Sequence, residues 1–178
     1  MSVTCPLDCE YLMEARQHDK PVPLESAKLP HEDIRVNESF LRDHDELVVS
    51  LARILSAAAL PTSGAVDHDV RDVLDALIRT YRTLEAGVYY ETVPSNAIAA
   101  RVFRLVQDDI ARFRGEERRG LGITAIRDAD ILRVLVFFAR LELDRNNGRP
   151  RGRAFIGLLQ ELSPAPEDLD RNSRLVIP

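Results

Sequence analysis

The sequence predicts an all-α fold: a single-domain bundle of five to six helices around a buried helix at about 128–146, preceded by an N-terminal arm. Three observations lead there. Apolar residues recur by threes and fours in several long windows, and none alternates with the period of two that a half-buried strand requires. The run Ile131–Leu143 carries apolar residues on nearly every face, the pattern of a helix covered on several sides. Strand-forming residues concentrate at Val88–Pro94 (VYYETVP), which is too short and isolated for a sheet.

The elements follow in order. Residues 1–36 read as the arm, with both cysteines and prolines at 6, 21, 23 and 30. Pro6 suits the first position of a short helix and Asp8 its first turn. Pro21 and Pro23 end that helix before Lys20, leaving 20–36 to lie extended across the bundle. The bundle core spans 37–162. Asn37 caps a helix at 38–60, with Phe40, Leu47, Leu51 and Leu55 inward and Pro61 as its stop. Asp67 caps the next through Ala86, and Gly87 takes the position after its end.

Asp72, Asp75, Arg79 and Arg82 occupy that helix's outer face at the spacing of surface ion pairs. Val88–Pro94 becomes an extended connection that lays Tyr89 and Tyr90 over the core. Ser95 caps a helix at about 96–115, followed by a charged loop, Gly115–Gly122. Asp128 caps the central helix, Asn146-Asn147-Gly148 stops it, and a last helix covers about 150–162. The tail, 163–178, contains three prolines and reads as irregular.

Composition excludes several function classes. The net charge of −5 and pI near 5.4 make nucleic-acid binding an unfavoured class. No run reaches the roughly 18–20 apolar residues of a membrane span. The N-terminus lacks the basic and apolar regions of a secretory signal, so a cytoplasmic, bacterial-type protein is expected. Charge is uneven: residues 1–75 hold 7 basic and 15 acidic groups, residues 76–178 hold 17 and 14. Lysine occurs only at 20 and 28, which a GC-rich genome explains.

Two sets of residues are candidates for chemistry. Cys5, Cys9, His18 and His31 form C-x3-C-x8-H-x12-H, two thiols and two imidazoles that satisfy the tetrahedral N/S preference of zinc. The spacing matches no finger pattern and lacks the C-x2-C knuckle. Cys5 at a helix N-terminus would also be an acidified, reactive thiol. The plainer reading makes both cysteines small half-buried apolar residues. The second set is Arg145, Arg149, Arg151 and Arg153, among Asn and Gly residues before a helix, an outline for anion or nucleic-acid binding. It lacks a P-loop's Gly-Lys-Ser/Thr ending and preceding strand. The plainer reading pairs these arginines with the acidic first half.

His44 lies on an apolar stripe, where one hydrogen bond commonly satisfies it. His68 with Asp72 and Asp75 reads as a solvated face. No G-x-S-x-G, H-E-x-x-H or dinucleotide fingerprint is present. The leading expectation is a non-enzymatic interaction or structural protein that binds a protein partner or self-associates as a homodimer. Zinc binding by the arm comes second, and anion or nucleic-acid binding by the Arg145–Arg153 turn third.

Overall fold

Asn37 begins the ordered bundle as expected, its side chain accepting the Phe40 N–H at 2.8 Å. The computed structural model describes residues 29–121, 126–145, 149 and 151–163. Among these described residues six helices follow in order: α1 (Glu38–Asp43), α2 (Asp45–Ala59), α3 (Asp67–Glu85), α4 (Ala97–Leu121), α5 (Asp128–Arg145) and α6 (Ala154–Leu162). No strand occurs among the described residues, and the all-α bundle is the observed fold.

The last helix, expected from about 150, starts only at Ala154, and two further boundaries depart from the sequence reading. The helix expected at 38–60 breaks at His44 (φ −127°, ψ 29°). The His44 ring stacks on Phe40 with centroids 4.3 Å apart, and its Nδ1 donates to the Phe40 carbonyl at 2.9 Å. That carbonyl is the acceptor His44's own N–H would use in a continuous helix, so the side chain displaces the backbone bond. The expected loop at 115–122 is instead the last part of α4, which runs to Leu121. Glu-Glu-Arg-Arg at 116–119 is a run of good helix formers, which adds little to the cost of roughly 1 kcal/mol for each flanking glycine.

α5 is buried on several sides as predicted, with Ile131, Leu132, Val134, Leu135, Val136 and Phe138 all inside. α3 shares the centre with it. α5 packs chiefly on α3, which also packs on α4 and α6, while α2 lies against α4 and α6. Consecutive α4 and α5 therefore meet mainly through α3. One ion pair crosses the α3–α5 seam: Arg71 donates to both carboxylate oxygens of Glu142, at 2.8 and 2.9 Å. The Glu142 side chain is 0% exposed, and the bidentate guanidinium fork is what makes such burial tolerable.

The N-terminus of α3 ties three elements together. Val66, not Asp67, is its N-cap, and the two aspartates of the first turn serve different neighbours. Asp69 accepts the Val66 N–H at 2.9 Å and the Asn96 Nδ2–H at 2.7 Å. Asn96 in turn caps α4 by accepting the Ile98 N–H at 2.8 Å, the role expected of Ser95. Asp67 is buried and turns to α6, taking the N–H groups of Phe155 and Ile156 at 3.2 and 3.0 Å. Its own N–H donates to the Gly152 carbonyl at 2.8 Å.

Candidate functional site

The surface feature with most chemical character is the connection between α3 and α4, and its shape begins at Gly87. Gly87 has φ +80°, its N–H reaches the Leu84 carbonyl at 2.9 Å, and the Val88 N–H reaches the Thr83 carbonyl at 2.8 Å. These are the two bonds of a Schellman stop, and they turn the chain back along α3. Thr83 and Thr80, one helical turn apart, then hold it. The Tyr90 N–H donates to Thr83 Oγ1 at 3.3 Å, and the Thr92 N–H to Thr80 Oγ1 at 3.0 Å. The Thr83 hydroxyl proton is shared between the Thr80 carbonyl at 2.8 Å and the Tyr90 carbonyl at 3.2 Å.

The bonding alternates. Val88, Tyr90 and Thr92 turn their backbone toward α3. Among the described residues, no hydrogen bond engages the backbone N–H or C=O of Tyr89, Glu91 or Val93. Alternation of this kind is the geometry of an extended strand with one edge paired and the other open. The side chains are open as well: Val88, Tyr89, Tyr90 and Val93 are 60, 64, 66 and 45% exposed. The expectation that the tyrosines lie over the core is therefore wrong. The stop at Gly87 and the bonds to Thr80 and Thr83 hold the segment on the bundle's outer face.

Two pockets flank the segment. One, of about 270 Å³, is lined by Tyr81, Leu84, Tyr89, Ile110 and Arg114. The other, also about 270 Å³, is more polar, with Asp72, Asp75, Arg79 and Thr92. In the first, Arg114 is held by Asp128 at 2.6 Å, and burial raises the Tyr81 phenol above its ordinary pKa. The Tyr89 hydroxyl donates to Glu91 at 2.8 Å, and that bond raises its pKa. Among the described residues, no nucleophile–base pair lines either pocket.

Cys5, Cys9 and His18 of the proposed zinc set lie outside the described residues. His31 lies within them, in the left-handed region at φ 56°. Its Nδ1 accepts from Arg82 Nη2 at 3.1 Å, and Arg82 also grips Asp33 at 2.7 and 2.8 Å. Burial, then the Arg82 charge, holds the His31 pKa below its ordinary value. Arg140 on α5 completes the cluster, donating to the carbonyls of Pro30, His31 and Ile34 at 3.1, 2.8 and 2.9 Å. A metal on Nδ1 would have to displace one guanidinium and sit near another. Among the described residues no group of three or more His, Cys, Asp or Glu side chains is placed to hold a metal. Arg82 thus pairs with the arm, not with its expected neighbours on α3.

Of the arginine set, the described contacts are few and local. Arg145 lies 3.3 Å from Asp144, and Arg151 and Arg153 are exposed. The Arg149 carbonyl accepts the Gly152 N–H at 2.9 Å. The α6 N-terminus, where an anion would sit, already receives the Asp67 carboxylate. Arg112 and Arg114 pair with Asp109 and Asp128. His68 sits 3.9 Å from Asp72 at the surface. Among the described residues no helix is long and apolar enough to cross a membrane.

Comparison with protein families, curated proteins and solved structures gives no match to this chain.

Proposed function

We propose that this is a non-enzymatic interaction protein of the cytoplasm that receives a partner polypeptide on the α3–α4 connection. The observation that carries the reading is the row Val88, Tyr89, Tyr90 and Val93, exposed together on a backbone pinned to Thr80 and Thr83. Tyrosine suits a binding surface because it offers a large amphipathic ring with few rotors. Pinning matters as much as exposure: a segment already held in one conformation loses little entropy when a partner arrives. The unpaired backbone at Tyr89, Glu91 and Val93 adds direction, since an extended polypeptide completes it by strand addition. A metal ion or phosphate has no use for such an edge.

A phage-displayed random dodecapeptide library, panned on the native chain and on a Tyr90→Ala variant, tests this. The expected result is enriched peptides that bind the native protein and lose at least tenfold affinity for the variant. Enriched peptides that bind both equally, or no enrichment at all, would overturn it.

A further inference from the structure

Resting on that docking reading, we infer that the partner is a second copy of this chain, its Val88–Val93 segment lying antiparallel to the first about a two-fold axis. The open edge is the first reason. A two-fold contact brings the same patch of both molecules together, so one segment must satisfy its own image. Outward N–H and C=O groups at alternate residues do this automatically, because two antiparallel edges of that kind exchange paired bonds.

Register is the second reason. Only Tyr89, Glu91 and Val93 present backbone outward, so the bonded pairs are among them. Centring the axis on Glu91 would oppose two carboxylates, which is destabilising. Centring it on Tyr90 sets each Tyr89 opposite Glu91 of the second copy and faces the two Tyr90 rings at the closer, unbonded position. The Tyr89 hydroxyl already donates to Glu91 within one chain at 2.8 Å. The same donor and acceptor recur across the axis, so the chemistry is self-complementary in this register.

Area is the third. Two tyrosines near two-thirds exposed, with two valines, offer roughly 400 Å² of apolar side chain per copy, or about 800 Å² per symmetric pair. That is below the roughly 1,200 Å² of stable specific interfaces and corresponds to a weak, transient, concentration-dependent dimer.

Sedimentation equilibrium of the full chain, from below micromolar to several hundred micromolar, tests the inference. The native chain should pass from monomer to dimer. Glu91→Pro removes an outward N–H and leaves the Tyr90 and Thr92 bonds to α3 in place; it should weaken the dimer at least tenfold, as should Tyr90→Ala. Glu91→Gln should not. Circular dichroism and urea unfolding confirm that each variant is folded. A native chain that stays monomeric throughout, or a dimer unmoved by both Glu91→Pro and Tyr90→Ala, overturns the inference. If the native chain is monomeric yet binds library peptides through Tyr90, docking stands and the partner is another protein. If it does neither, both readings fall.

Discussion

Replacing Asp67 with alanine isolates the tie between α3 and α6. The substitution deletes the acceptor of two backbone donors, Phe155 N–H at 3.2 Å and Ile156 N–H at 3.0 Å. Both residues are at most 1% exposed, so water does not readily replace the carboxylate. Loss of a helix cap costs about 1–2 kcal/mol, and stranding a buried donor adds about 1–3 kcal/mol. The expected destabilisation is therefore about 3 kcal/mol, a fall in Tm of roughly 6–12 °C for a chain of this size. Urea unfolding followed by circular dichroism should show a lower midpoint with an unchanged m-value. Asp67→Asn keeps one acceptor and should lose about half as much. A loss below about 1 kcal/mol for Asp67→Ala would refute the reasoning, because the α6 N–H groups would then have another partner.

Three further outcomes follow from the same geometry. Gly87→Ala should cost about 1 kcal/mol through its φ of +80° alone, since a Cβ there meets nothing within 4 Å. Gly157→Ala, inside α6 and equally uncrowded, should instead stabilise by about 0.5–1 kcal/mol; urea midpoints check both signs. His31 has a folded pKa held below its ordinary 6.5, so its contribution to stability is full above pH 6.5 and is lost as pH falls through the lower folded value. Stability of the native chain should therefore decline between pH 7 and 5 more than that of His31→Asn, which tolerates the left-handed backbone. The Asp33 carboxyl, held low by Arg82, acts only below its ordinary 3.8 and leaves this window clear. Arg140→Ala removes three bonds to residues 30–34 and should speed tryptic cleavage after exposed Arg35, with little change in the global unfolding midpoint. Unchanged cleavage would mean that the arm segment is held by other contacts.

Much of the fold was legible because burial follows period. The stripes through Phe40 to Ala58 and Val70 to Tyr81, and the all-round apolar run of α5, each fall where spacing placed them. Asn37 and Gly87 were legible too, since a cap and a stop are local chemistry. Long-range choices were not. Nothing near Asp67 in sequence says that its carboxylate serves residues 155 and 156, or that Asn96 takes the cap that Ser95 offers locally. Arg82 had acceptors at helical spacing but chose Asp33, nearly fifty residues away. The tyrosines misled for a similar reason: aromatics in an apolar protein suggest burial, yet the backbone bonds to Thr80 and Thr83 fix their height above the bundle. The signal available was the i,i+3 pair of threonines just before a helix-ending glycine, a ready ladder for a chain that doubles back.

The most direct measurement of the account is amide hydrogen exchange, read residue by residue from Val88 to Val93. In dilute protein, Tyr89, Glu91 and Val93 should exchange at nearly free rates while Val88, Tyr90 and Thr92 are protected by α3. On concentrating the protein, protection should spread to Tyr89 and Glu91. Uniform exchange along the segment, or odd-numbered amides already protected in the dilute monomer, would contradict the claim that this extended segment offers an open edge for docking.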